Sequence, residues 1–459
     1  MRKLLTITAG VIAGTLLNGT ASAATAAPTT AELEQRIEEL EQMVRLLGRK
    51  QEVSEEVYVA DKAKAAAPGV GTVKAGPDGF ALTSADKTAE IKFRGLMQFD
   101  GRFGIDDDKD NDTFLFRRLR PTIEGKIGDF AWRITPEFAN DDADLVDGYI
   151  DWNFPVQPQN ALFRAGQFKA PVGLERLQSG SAITFLERAF PTELLPNRDR
   201  GLGLYTYQFD KRLALELAVT NGTADGRDAT NTDFDGEPEA NARIFFEPVP
   251  GIGFGIAGTH GEKISENDTR AASTSNNQAF LPRYRSPAQN TIFQYNTGAT
   301  ADGTHKRFTP QAYAYVGPFG VMAEYAESIQ DVGYATDTQD FGTHDFTNKA
   351  AQITGVWAIT GEPENYKGVI KPINSYGAWE VALRYSTLEV DDNIFDLGFS
   401  DPAKNVQKAE EAAFGVNWVV NQNVKVLTNY TYTQFDGGAK KGGDRPDEKV
   451  FSTRLQLNY

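Results

Sequence analysis

From Gly79 to the last residue, apolar and polar side chains trade places at every second position, and no other feature narrows the fold as much. Ile91, Phe93, Met97 and Phe99 alternate with Lys92, Arg94, Gln98 and Asp100. Trp379, Val381, Leu383 and Tyr385 alternate with Glu380, Arg384 and Ser386, and Phe451, Leu455, Leu457 and Tyr459 with Ser452, Arg454, Gln456 and Asn458. A period of two belongs to a strand with one apolar and one polar face. A soluble sandwich shows the same alternation, so the connections decide. The pattern predicts sixteen strands, near 90–103, 113–127, 130–139, 145–154, 161–169, 202–209, 212–220, 240–248, 252–260, 309–317, 319–328, 348–360, 376–390, 409–420, 423–435 and 447–459. Tight turns at 128–129, 210–211, 249–251, 317–318 and 421–422 alternate with long polar loops at 104–112, 170–201, 221–239, 261–308, 329–347, 391–408 and 436–446. Two connections depart from the rule: 140–144 is short for its side and 361–375 long. Short turns on one side and long loops on the other mark a transmembrane antiparallel β-barrel, with both chain ends on the short-turn side.

Composition removes the competing classes. The chain has no Cys, which excludes disulfides and thiolate metal sites, and only three His among 459 residues. Those three, His260, His305 and His344, lie in or beside separate loops, so neither a catalytic triad nor a metal site is expected, and no cofactor. A formal charge of −16 argues against nucleic acid as a partner. A mean hydropathy of −0.42 excludes a polytopic helical membrane protein but suits a barrel, whose strands average to mild values.

The region before the barrel divides in three. Residues 1–23 read as a signal peptide: Arg2 and Lys3, an apolar stretch from Leu4 to Leu17, then the cleavage signal Ala21-Ser22-Ala23. Residues 29–56 read as a helix, with Leu33, Ile37, Leu40, Val44 and Leu47 on a heptad seam. A lone helix this short is marginal in water; self-association or packing on its own domain would each cover the seam. Ile and Val at the a positions lean toward two strands. Residues 57–79, rich in Ala, Gly, Lys and Pro, read as a flexible linker, and 80–459 as the barrel.

Two motif-like runs carry little. Gly251–Gly258 repeats glycine but has no helix after it, so a dinucleotide site is not expected. The run 106–112, DDDKDND, lacks the central Gly of a calcium loop and reads as a solvated tip that bridges divalent ions to lipopolysaccharide. The stretch 164–200 is more informative. It starts as a strand, then runs on without a strand or helix period, mixing Lys169, Arg176, Arg188, Arg198 and Arg200 with Glu175, Glu187, Glu193 and Asp199. Long irregular loops are uncommon unless functional or disordered. Its apolar anchors, among them Val172, Leu174, Phe185 and Phe190, predict a loop packed inside the barrel as its constriction.

Several stretches together resemble the phosphate-selective porin O and P family: FRRLRPTIEGKIGDFAWRITPEF (116–138), GQFKAPVGLERLQSGSAITFLER (166–188), GAWEVALRYSTLEVDDN (377–393), FGVNWVVNQNVKV (414–426) and the ending STRLQLNY. The resemblance implies an outer-membrane trimer of sixteen-stranded barrels with the third loop folded into an arginine-lined pore, and overrides the dimer lean of the heptads. It puts the paired arginines of the second strand on Arg117 and Arg118, the basic residue of the third loop on Arg176, a pore hydroxyl on Ser179 and an acidic residue on Asp147. The family's first-strand arginine is missing, since Leu96 stands there; Arg94, two residues earlier on the same face, is the expected replacement.

Strand alternation adds a reading of its own. Arg94, Arg118, Arg120, Arg133, Arg243, Arg384 and Arg454 fall opposite the apolar face and so point inward, because each would cost about 2–4 kcal/mol in lipid. Arg117 falls on the outward face unless a bulge turns it in. With Arg188 of the loop, these form the expected anion path. The expected function is passive diffusion of small anions, phosphate or related oligophosphates. A general-diffusion pore without phosphate preference, and a barrel that tethers the envelope through its coiled coil, are the alternatives; an enzyme is not expected.

Overall fold

The computed structural model describes residues 30–65, 71–77, 79–105, 112–139, 143–154, 160–228, 235–265, 280–336 and 338–459. The expected signal peptide and the 106–111 part of the acidic run lie outside them. The chain divides into two units, 1–70 and 71–459.

The first unit holds one helix, α1 (Thr30–Ala65), which continues past residue 56 into the expected linker. The sequence DKAKA at its end is rich in strong helix formers, and the first breaker is Pro68. Its seam is bare: Ile37, Leu40, Val44 and Leu47 are 56–67% exposed. Among the described residues no helix is long and apolar enough to cross a membrane.

The second unit begins with a hairpin, β1 (Thr72–Gly76) and β2 (Gly79–Thr83), again where a linker was expected. The reason lies in the barrel seam. The first barrel strand, β3 (Ala89–Gly104), pairs with the last, β20 (Glu448–Asn458), only from Leu96 upward. Below that its backbone groups would be unpaired, and β2 takes them up, Phe80 opposite Phe93. Between β3 and β20 run β4 (Thr113–Ile127), β5 (Phe130–Glu137), β6 (Asp144–Asn153), β7 (Asn160–Lys169), β8 (Arg198–Gln208), β9 (Leu213–Thr220), β10 (Glu239–Val249) and β11 (Ile252–Ile264). After a small external hairpin, β12 (Arg283–Arg285) and β13 (Thr291–Gln294), come β14 (Ala299–Val316), β15 (Phe319–Ala335), β16 (Asp340–Ala358), β17 (Ala378–Glu389), β18 (Val406–Val419) and β19 (Val424–Gly437). Each barrel strand pairs antiparallel with the next, and β20 closes on β3, giving sixteen strands without a free edge. Closure satisfies every ladder, as lipid requires. Tyr459 ends the seam by exchanging both backbone hydrogen bonds with Gly95 at 3.1 Å. The outer wall is apolar and bare, with Phe254 53% and Leu383 65% exposed, while Asp100, Gln456 and Arg454 are buried inside.

Three strands run furthest beyond what their sequence predicts. Residues 299–308, 329–335 and 340–347, read as loop, extend β14, β15 and β16. Their polar composition hid apolar anchors: Val332, Tyr334 and Phe346 join one core with Phe293, Tyr295, Ile394 and Phe399 from the loops above and with Phe190 of the loop 170–197. The loop 170–197 packs inside the barrel with two short helical pieces, α2 (Leu174–Leu177) and a 3-10 turn at Phe190–Glu193; Val172, Leu174, Phe185 and Phe190 are buried. The connection 361–375 also turns inward. Its Val369 packs on Ala358, Ala378 and Val419, and the Tyr366 hydroxyl donates to the Leu174 carbonyl at 2.5 Å.

Candidate functional site

The long loop leans on one side of the barrel. Glu324 of β15 accepts from the Leu174 and Glu175 amides at 2.5 and 3.2 Å. Arg384 donates to the Glu187 carbonyl at 2.8 Å while pairing with Glu411 at 2.6 Å. Arg454 donates to the Leu186 carbonyl at 2.8 Å and grips Asp100 with two bonds of 2.6 and 2.7 Å. These two arginines point inward, as the alternation requires. They do not face the lumen, because the loop covers that wall; they are anchors for it.

The open space lies on the other side, as a cavity of about 960 Å³ between the loop and the wall β3–β8, with twelve basic and five acidic side chains around it. Arg117, Arg118, Arg120, Arg176 and Arg188 are among them. The ladder between β3 and β4 slips here: Gln98 faces Arg118 but Phe99 faces Phe116, so Arg117 is the extra residue of a bulge. The bulge turns its side chain inward, where it meets Glu187 of the loop at 2.7 and 3.0 Å. Glu187 also accepts from Arg102 at 2.5 Å. Arg120 pairs with Glu137 at 2.6 Å, and Asp147 pairs with Arg198 at 2.9 Å.

Four cations are held differently. Arg118 donates to the Gln98 amide oxygen at 2.6 Å. It lies against Gly180 at the loop's tip, where a Cβ would come within 3.0 Å of its Nε; glycine there lets the loop close over the arginine. Lys169 donates to the carbonyls of Arg176 and Gln178 at 2.8 and 2.7 Å. Arg188 donates to those of Glu175 and Gln178, both at 2.9 Å, and Arg176 to that of Thr192. Among the described residues, none of the four forms an ion pair within 4.0 Å. Burial and the nearby Arg176 push Arg188 down to about 9, so it stays cationic at neutral pH. Fixed positive charge held by neutral dipoles beside a low-dielectric wall is an arrangement that concentrates anions.

The remaining expected residues stand elsewhere. Arg94 and Arg133 share Glu124, at 2.8 and 2.6 Å, outside this cavity. Arg243 pairs with Glu216 at 3.0 Å over the ring of Phe245. The Ser179 hydroxyl meets that of Ser181 at 2.9 Å and is exposed outside the cavity. Alternation also missed lining residues. Arg102 lies inside on β3, and Arg227, Arg283 and Arg285 reach the cavity from external loops. The signal was present in Arg283-Tyr284-Arg285, where a wholly buried Tyr284 sits between two basic residues, a strand pattern inside a polar loop. This hairpin is pinned by Tyr284, which donates to Asp225 at 3.2 Å, and by the Arg285 amide, which donates to Glu193 at 3.1 Å.

A family model described as phosphate-selective porin O and P matches residues 91–459. Porin O of Pseudomonas aeruginosa is 26% identical over 430 residues, covering 83% of this chain and 91% of that protein. Among solved structures, the outer-membrane channel DcaP of Acinetobacter baumannii aligns with a TM-score of 0.52 at 13% identity, covering 81% of this chain and 97% of its own. An anion-selective porin from Comamonas acidovorans aligns with a TM-score of 0.50 at 10% identity, covering 81% and 100%. At such identities the two structures speak to the fold alone.

Proposed function

The chain belongs to the phosphate-selective porin O and P family and is an outer-membrane porin; from that premise we propose that it passes small anions, phosphate and related oligophosphates, through the passage between the loop 170–197 and the wall β3–β8. One observation carries this reading: twelve basic against five acidic side chains line the lumen cavity, and four of the cations have no carboxylate partner among the described residues. The guanidinium fork matches a phosphate with two parallel hydrogen bonds. Carbonyl-held arginines attract an anion without being locked to a counter-charge, which favours entry and release together. The same membership supports a homotrimer surrounded by lipopolysaccharide; residues 1–23 as signal peptide and α1 as a periplasmic coiled coil rest on their own sequence patterns, the charged start with Ala21-Ser22-Ala23 and the heptad seam.

The purified protein in a planar bilayer under a potassium chloride gradient tests this. An anion-signed reversal potential, with chloride current reduced by added phosphate, is the expected result. A zero or cation-signed potential overturns the anion reading. Anion preference without phosphate block reduces it to general diffusion, and absence of conductance favours an envelope tether.

A further inference from the structure

We propose that the inward turn 361–375 completes a binding site for one calcium ion, formed by Glu364 and Glu380 with the side-chain amide oxygens of Gln178 and Asn417. The site does not rest on the anion reading and lies apart from the arginine-lined cavity.

Its parts come from four elements. Glu380 on β17 and Asn417 on β18 are directly opposite in register, and both side chains are buried. Glu364 comes from the turn, fixed by its amide, which donates to the Gly317 carbonyl at 2.8 Å. Gln178 comes from the constriction loop. The amide nitrogens of Gln178 and Asn417 are committed, to the Tyr366 carbonyl at 2.8 Å and the Thr184 carbonyl at 3.0 Å. Their oxygens, and Oε1 of Glu364, have no hydrogen-bond partner among the described residues. All four residues are at most 5% exposed and line one small cavity of about 20 Å³, room for a single water or ion.

Charge sharpens the case. Two buried carboxylates side by side cannot both ionise without a counter-cation. Lys425 borders the same cavity but forms no ion pair within 4.0 Å with either carboxylate. Its charge favours modest affinity, on the order of 10⁻⁴ M, as in extracellular calcium modules. The described residues hold no cluster of three acidic or histidine ligands. Two carboxylates and two amide oxygens, without nitrogen or sulfur donors, form an oxygen-only set that suits calcium rather than zinc. A bound ion would tie the wall, the turn and the constriction loop at one point.

Terbium luminescence excited through tyrosine tests the site, because Tyr315 lines the same cavity. The full chain, folded in detergent and stripped with chelator, should bind about one sensitised terbium that calcium displaces. Glu364→Gln combined with Glu380→Gln should weaken that binding at least tenfold. Asn417→Ser leaves both carboxylates in place, serves if the double variant misfolds, and should weaken it severalfold. Equal sensitised binding by wild type and variants overturns the proposal. So does a wild type with no calcium-displaceable signal.

Discussion

Replacing Arg118 by alanine should change ion selectivity while leaving the barrel intact. Arg118 is buried, and its one hydrogen bond to another side chain goes to the neutral Gln98 at 2.6 Å, so its removal orphans no carboxylate. The Gln98 amide nitrogen keeps its bonds to the Gly180 carbonyl and to Gln456 at 2.8 and 2.6 Å, which holds the loop's tip in place. A guanidinium attracts an anion about 5 Å away by about 3 kcal/mol at an effective dielectric of about 20. Arg117, Arg120 and Arg188 remain, and lumen water and salt screen the field, so one residue's share is about 1 kcal/mol, or roughly a fivefold fall in the anion-to-cation permeability ratio. Reversal potentials in a chloride gradient at about 0.1 M salt, where the Debye length is about 10 Å, read this directly. Adding Arg176→Ala should deepen the fall. If Arg118→Ala keeps the wild-type potential and the same thermal unfolding, the ions pass elsewhere and the loop does not define the path.

Arg454→Ala should behave in the opposite way: the buried Asp100 loses two charge-assisted bonds and keeps Arg102 at 3.0 Å, lowering stability by about 2–3 kcal/mol, seen as a lower temperature for conversion to the unfolded band on gels. Tyr366→Phe removes the hydroxyl bond to the Leu174 carbonyl, costs about 1 kcal/mol, and should raise open-channel noise without changing ion preference. Asp225 pins the external hairpin; burial alone would raise its pKa, but Arg307 and His305 hold it down to about 2. Its folded pKa lies below the ordinary value, so this stabilisation is present above about pH 4 and lost as pH falls toward 2; Asp225→Asn should make residues 280–295 more open to protease already at neutral pH. Deleting 30–65 should leave a folded, conducting barrel with weaker trimers on unboiled gels; loss of β-structure would show that the helix is needed for folding.

How far the sequence reached depends on what each kind of residue reports. A period of two states which way a side chain points, so the sixteen-stranded barrel was legible. The bulge was legible only as a conflict, since Arg117 counted outward while the family resemblance required it inside; the extra residue in β4 resolves it. Alternation cannot state what lies over an inward side chain. Arg384 and Arg454 share the inward face with Arg118, yet the loop's apolar anchors press it onto β15–β20, and those two arginines meet carbonyls and carboxylates rather than a passing ion. Polarity misled at the outer end, where the extensions of β14–β16 looked like loop although their apolar residues join a core shared with the loops and with Val172 and Phe190 of the loop 170–197. It misled again at 57–65, where Ala and Lys read as flexible although both favour helix. Alternation therefore sets which charges point inward, whereas the folded loop sets which of them line the open cavity. That division is why Arg118 and Arg454, alike in sequence pattern, should respond so differently to removal.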